Sequence, residues 1–77
     1  MNKRPHVERC PSTGGITGQC AYEWALFLAQ EADMNDDVFA YDRWKHLQEQ
    51  LTPMPGVPIA ASVHIRDLEK EIEKWNM

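Results

Sequence analysis

The sequence predicts a small all-α domain: three helices, an irregular N-terminal segment and a proline-rich crossover before the last helix. Three observations lead to this fold class. Apolar residues recur every three or four positions between 61 and 75, three prolines fall within 53–58, and a glycine cluster precedes the first helical pattern. Because 77 residues suffice for one domain at most, residues 1–77 are treated as a single domain.

Residues 1–17 are expected to form an irregular or mobile lead-in, because Pro5, Pro11 and the run Ser12-Thr13-Gly14-Gly15 interrupt any long element. The first helix is predicted over 18–33. Its apolar residues cover a broader face than one-sided packing requires: Cys20, Ala21, Trp24, Ala25, Phe27 and Leu28. We therefore expect this helix to be covered on more than one side.

The second helix is predicted over 36–51. Asn35 is the expected N-cap, and Asp36 and Asp37 then complement the positive end of the helix. One stripe of this helix is apolar and consists of Ala40, Trp44, Leu47 and Leu51.

Residues 52–58 end the second helix, since Pro53, Pro55 and Pro58 favour an extended, polyproline-like path. The third helix is predicted over 61–75, with Ser62 as a plausible N-cap and with an apolar seam of Ala61, Ile65, Leu68, Ile72 and Trp75. A short helix with one apolar seam must lie against something. The seam either packs within the monomer or forms a homodimer through Ile65, Leu68, Ile72 and Trp75.

The charge distribution disfavours nucleic acid as a partner. The net charge is −4. Residues 31–50 carry six carboxylates against Arg43 and Lys45, and a basic cluster occurs only within the first ten residues.

No apolar run approaches the roughly 20 residues that span a bilayer, and no secretion signal is present, so no membrane partner is expected. The expected location is cytoplasmic, with reduced thiols.

The metal-binding and cofactor-binding patterns in the chain are incomplete. His6, Cys10 and Cys20 are suitable zinc ligands, but they include no Cys-x-x-Cys pair and no nearby fourth ligand. The glycine loop 12–19 has Gln19 where a phosphate-binding loop has lysine. The segment from Asp33 to Asp37 begins like a calcium loop and then fails at its glycine and glutamate positions. No metal and no cofactor are therefore predicted.

Catalysis is not expected, because nothing in the spacing pairs a nucleophile with a base. The leading hypothesis is a small protein-binding module, an adaptor or inhibitor. Small acidic proteins encoded by phages, which block larger host enzymes or complexes that handle nucleic acids, have this composition, and the comparison is associative. The alternatives are a helix-turn-helix-like DNA-binding regulator and a zinc-stabilised module that uses His6, Cys10 and Cys20.

The predicted binding surface combines carboxylates with aromatic rings, and its expected partner is a protein with a basic surface. A helix cannot turn Phe39, Tyr41 and Trp44 inward together, so part of this aromatic surface should stay exposed. The candidate site residues are Asp33, Asp36, Asp37, Phe39, Tyr41, Asp42 and Trp44.

Overall fold

A computed structural model describes residues 4–59 and 62–75 and confirms the all-α fold class. Helix α1 spans Gly18–Met34, α2 spans Val38–Gln50 and α3 spans Val63–Trp75. The predicted start of the third helix at Ala61 and the first three residues lie outside the described residues. Among the described residues, β-pairing is limited to two isolated bridges.

Helix α1 lies at the centre of the core, as the breadth of its apolar face indicates. Trp24 and Ala25 are fully buried, and Phe27 packs edge-on against Trp24 with ring centroids 5.4 Å apart. Trp75 of α3 packs edge-on against the same Phe27 at 5.1 Å. Three aromatic rings thus connect the centre of α1 to the end of α3, each contact adding about 1 kcal/mol to the burial itself.

The seam of α3 is covered within the monomer. Ile65, Leu68 and Ile72 are 5%, 0% and 1% exposed and belong to the same core cluster as Trp24. The Ser62 hydroxyl accepts a hydrogen bond from Ile65 N–H at 3.2 Å, which fits its predicted capping role. Helix α1 packs against α3 within the monomer, whereas Trp75 is only partly buried, and a homodimer through this seam stays a prediction.

The connection between α1 and α2 is a Schellman turn. Asp37 N–H donates to Ala32 O at 2.9 Å, and Asp36 N–H donates to Asp33 O at 3.2 Å. Asp36 has a φ of 56°, and no other non-glycine residue described has a positive φ. The left-handed position that glycine usually fills is therefore held here by an aspartate.

Asn35 is not the N-cap of α2, contrary to the prediction. It is the C-cap of α1, and its amide donates to Glu31 O at 2.9 Å. The N-cap is Asp37, whose Oδ1 accepts from Ala40 N–H at 3.1 Å. The joint of residues 35–37 is one residue longer than the predicted joint of residues 34–35, and α1 ends one residue later than predicted, so α2 starts at Val38.

The crossover contains a turn within the extended path predicted for it. Pro55 and Gly56 form a turn in which Gly56 has a φ of 75°, the combination that type II turns use. The returning chain then caps α1: Gly18 N–H donates to Val57 O at 2.9 Å, and Gln19 N–H donates to Met54 O at 3.3 Å. The chain therefore folds over the start of α1.

The N-terminal segment from Arg4 to Thr17 contains no helix and is paired with the rest of the domain. Arg9 forms an antiparallel bridge with Ile16, and Cys10 N–H donates to Gly15 O at 2.8 Å. Ile16 O in turn accepts from Ile59 N–H at 3.2 Å. Three short extended pieces thus lie side by side over the start of α1, with the piece that contains Ile16 in the middle.

Candidate protein-binding surface

Two large apolar side chains in the first turn of α2 are exposed to solvent. Phe39 is 89% exposed and Val38 is 65% exposed. An exposed aromatic ring adjacent to an exposed β-branched residue is an apolar surface that the described part of the chain leaves uncovered. We call this pair the α2 ridge.

Two depressions flank the α2 ridge. The first lies at the Schellman turn and is lined by Ala32, Asp33, Asp36, Asp37, Val38 and Tyr41. The second lies towards α3 and is lined by Asp37, Phe39, Ala40, Arg43, Trp44 and Glu71. Asp37 lines both depressions, because it is the last residue of the Schellman turn and also the N-cap of α2.

The structure brings six of the seven predicted site residues to these depressions, and their roles differ. Asp33, Asp36 and Tyr41 line the first, while Phe39 and Trp44 line the second. Trp44 is only 6% exposed and belongs to the core, in line with its place on the predicted apolar stripe, so it forms a wall of the second depression and offers no free ring. Asp42 is exposed on α2 but lines neither depression.

Sequence reasoning did not assign Val38, Arg43 and Glu71 to this surface. Val38 lies outside the apolar stripe of α2, and that mismatch was a usable signal for exposure. Glu71 enters only because α3 packs beside α2, which no local pattern in the sequence shows.

The surface around the α2 ridge is negatively charged. Arg43 pairs with Asp67 of α3, and its guanidinium carbon lies 4.9 Å from the centre of the Trp44 ring. The other ion pair within residues 4–59 and 62–75 joins Lys74 and Glu71. The aspartates at 33, 36, 37 and 42 therefore have no cation of the described chain in an ion pair with them.

The glycine loop before α1 offers no phosphate cradle. The Gly18 and Gln19 N–H groups at the helix start already donate to carbonyls of the crossover, and Cys20 N–H donates to the Thr17 hydroxyl at 3.2 Å. An anion would have to displace these bonds, since a helix binds anions through its free N-terminal donors.

His6, Cys10 and Cys20 do not form a metal cluster. Within the described residues, no group of three or more His, Cys, Asp or Glu side chains could hold a metal ion. The Cys10 thiol lies 3.1 Å from the Ser12 hydroxyl, and this hydrogen bond, with the Ser12 backbone, lowers the Cys10 pKa. Burial raises the pKa of Cys20, whose Sγ lies 3.8 Å from His6 O. Both thiols are free.

Comparison with known proteins gives no match to a family model, to a curated protein or to a solved structure. None of the helices in the described part of the chain combines the length and apolarity needed to cross a bilayer.

Proposed function

We propose that this protein is a non-catalytic binding module that docks a basic protein partner on the α2 ridge and its two depressions. The observation that carries the proposal is the exposure of Phe39, 89% of whose surface faces solvent while the core of the same domain is closed. A small domain gains stability by burying its aromatic rings, so a ring left outside is available to a partner.

The charges around the ridge favour a cationic partner. Asp33 and Asp36 line one side of the ridge without an ion pair from any residue that the structure describes, and Asp37 lines both sides. A partner with lysine or arginine beside an apolar side chain would cover Phe39 and Val38 while its cations meet these carboxylates. Such an interface places aromatic and apolar contacts at the centre and charges at the rim.

The proposal includes a cytoplasmic location, which the two free thiols support. The module acts as an adaptor or as an inhibitor, and a phage protein directed at a larger host enzyme is one form of the second. A DNA-binding role gains no support, since the joint between α1 and α2 exposes Asp33, Asp36 and Asp37 where a helix-turn-helix protein meets phosphates.

The test uses variants that keep the fold. Phe39→Ala removes the ring, and Asp36→Gly combined with Asp37→Asn removes two charges while retaining both the left-handed turn and the N-cap. Val63→Ala is the matched control, because Val63 is 71% exposed on α3 and lines none of the site depressions.

Each protein is immobilised, exposed to extract of the native host, and the retained proteins are quantified by mass spectrometry. We expect one basic protein to bind the wild type and Val63→Ala equally, and to bind Phe39→Ala about 30-fold more weakly, as for a hot-spot aromatic. At low salt the double aspartate variant should bind the partner more weakly than the wild type. This difference should shrink as the salt concentration rises, because salt screens the interaction between the charges. A partner retained equally by all four proteins would place the interface elsewhere and refute the proposal.

A further inference from the structure

A small depression between α2 and α3 brings together two histidines that have no part in the proposed binding surface. It is lined by Arg43, His46, Leu47, Gln50 and His64, and its volume is about 90 Å³. His46 and Gln50 lie one turn apart on α2, and His64 lies in the first turn of α3. Two imidazoles from different helices therefore face the same small space.

The spacing within this depression suits a metal ion. His46 Nε2 lies 3.0 Å from the terminal amide nitrogen of Gln50, and a 180° rotation of that amide puts its oxygen in the same place. Two ligands that each lie about 2.1 Å from an ion and meet at a right angle are about 3.0 Å apart. The pair already has the separation of two neighbouring ligands of an octahedral ion.

The depression is large enough for an ion with water molecules on its open side, since about 10–15 Å³ by the same measure already holds one water. Its charge is also compatible with an ion. The positive charge of Arg43 is compensated, because its guanidinium pairs with Asp67 and lies over the Trp44 ring.

We propose that His46 and His64, with the amide oxygen of Gln50, bind one divalent late transition-metal ion that takes ligands at right angles, such as Ni²⁺. Imidazole is a preferred ligand of late transition metals, Zn²⁺ included, while Mg²⁺ and Ca²⁺ require sites made of oxygen ligands, and two of the three ligands here are nitrogen. The bound ion joins α2 to α3 directly. It therefore holds α3 on the domain more firmly and should raise the thermal stability of the whole fold.

The experiment is calorimetric titration of the tag-free protein with Ni²⁺ and then with Zn²⁺, with a thermal melt at each metal concentration. We expect one ion per chain and a melting temperature raised by at least about 5 °C at a tenfold excess over Kd. His46→Ala and His64→Ala should each lower the affinity at least about tenfold. His6→Ala is the matched control, since His6 is an exposed histidine outside the depression and its loss should change nothing.

Gln50→Glu provides a variant that should gain affinity, because a carboxylate replaces the amide as the third ligand. A folding defect cannot produce that result. A Kd weaker than about 1 mM for both ions, binding that survives either histidine substitution, or loss of binding in His6→Ala would each overturn the site. Unchanged affinity in Gln50→Glu would overturn the role of the amide. None of these outcomes depends on the α2 ridge.

Discussion

Gly18 lies where the crossover approaches α1 most closely, and replacing it with alanine should destabilise the domain. A Cβ atom at this position would lie 2.8 Å from Thr52 O and 3.4 Å from Met54 N. Both contacts are with backbone, which cannot rotate away as a side chain does. The crossover must therefore move, and this strains the bonds from Gly18 to Val57 O and from Gln19 to Met54 O.

The size of the effect follows from two opposing terms. Forcing an extra carbon into a packed contact costs about 1–3 kcal/mol, while alanine gains up to about 1 kcal/mol over glycine in a helix. The clash exceeds the gain in helix propensity, so Gly18→Ala should lower the free energy of unfolding by about 1–2 kcal/mol. For a domain of this size the melting temperature then falls by about 10 °C.

Urea unfolding followed by tryptophan fluorescence measures this change, because Trp24 and Trp44 are buried in the core. Gly15→Ala is the control: it lies in the same loop, its φ is not positive, and its Cβ would meet nothing nearer than Thr13 Oγ1 at 3.7 Å. It should leave the midpoint almost unchanged. If Gly18→Ala were as stable as the wild type, the close approach of the crossover described above would be wrong.

Three further substitutions or reactions test other parts of the fold. Asp36→Gly should stabilise the domain by about 1 kcal/mol in urea unfolding, because glycine adopts the left-handed turn without strain, and a loss of stability would contradict that account. Leu68→Ala should cost about 2–5 kcal/mol and leave little folded protein by circular dichroism, since Leu68 is fully buried; a normal melt would mean that α3 is not docked. Alkylation followed by mass spectrometry should modify Cys10 at lower pH than Cys20, because hydrogen bonding lowers the pKa of the first thiol and burial raises that of the second; equal rates at every pH would exclude this difference.

The helices were predictable because each has a periodic apolar pattern. The seam of Ile65, Leu68 and Ile72 is unambiguous at helical spacing, and burial of these residues in the core confirms it. The broad face of α1 likewise predicted a central helix. These patterns depend only on residues within one helix, so they can be recognised from the sequence alone.

The structure differs from the prediction where hydrogen bonds outside the apolar pattern decide the path of the chain. Pro53 and Pro55 favour an extended path locally, but the carbonyls of the crossover are turned back to satisfy the free donors of α1. Asn35 and Asp37 are both good N-caps, and only the Schellman turn decides between them. The sequence places Trp44 both on the apolar stripe of α2 and among the candidate site residues, and its burial in the core confirms the first placement.

The backbone donors at the start of α1 have a consequence for how the chain reaches its native state. Their acceptors, Met54 O and Val57 O, follow the whole of α2 in the chain, so α1 is fully capped only after the two-helix hairpin has formed and the crossover has returned. A fragment ending at residue 51 would leave these donors to water and expose the apolar residues that α3 covers. Folding of this small protein should consequently be all-or-none, with hydrogen exchange at Gly18 and Gln19 as slow as in the middle of the central helix.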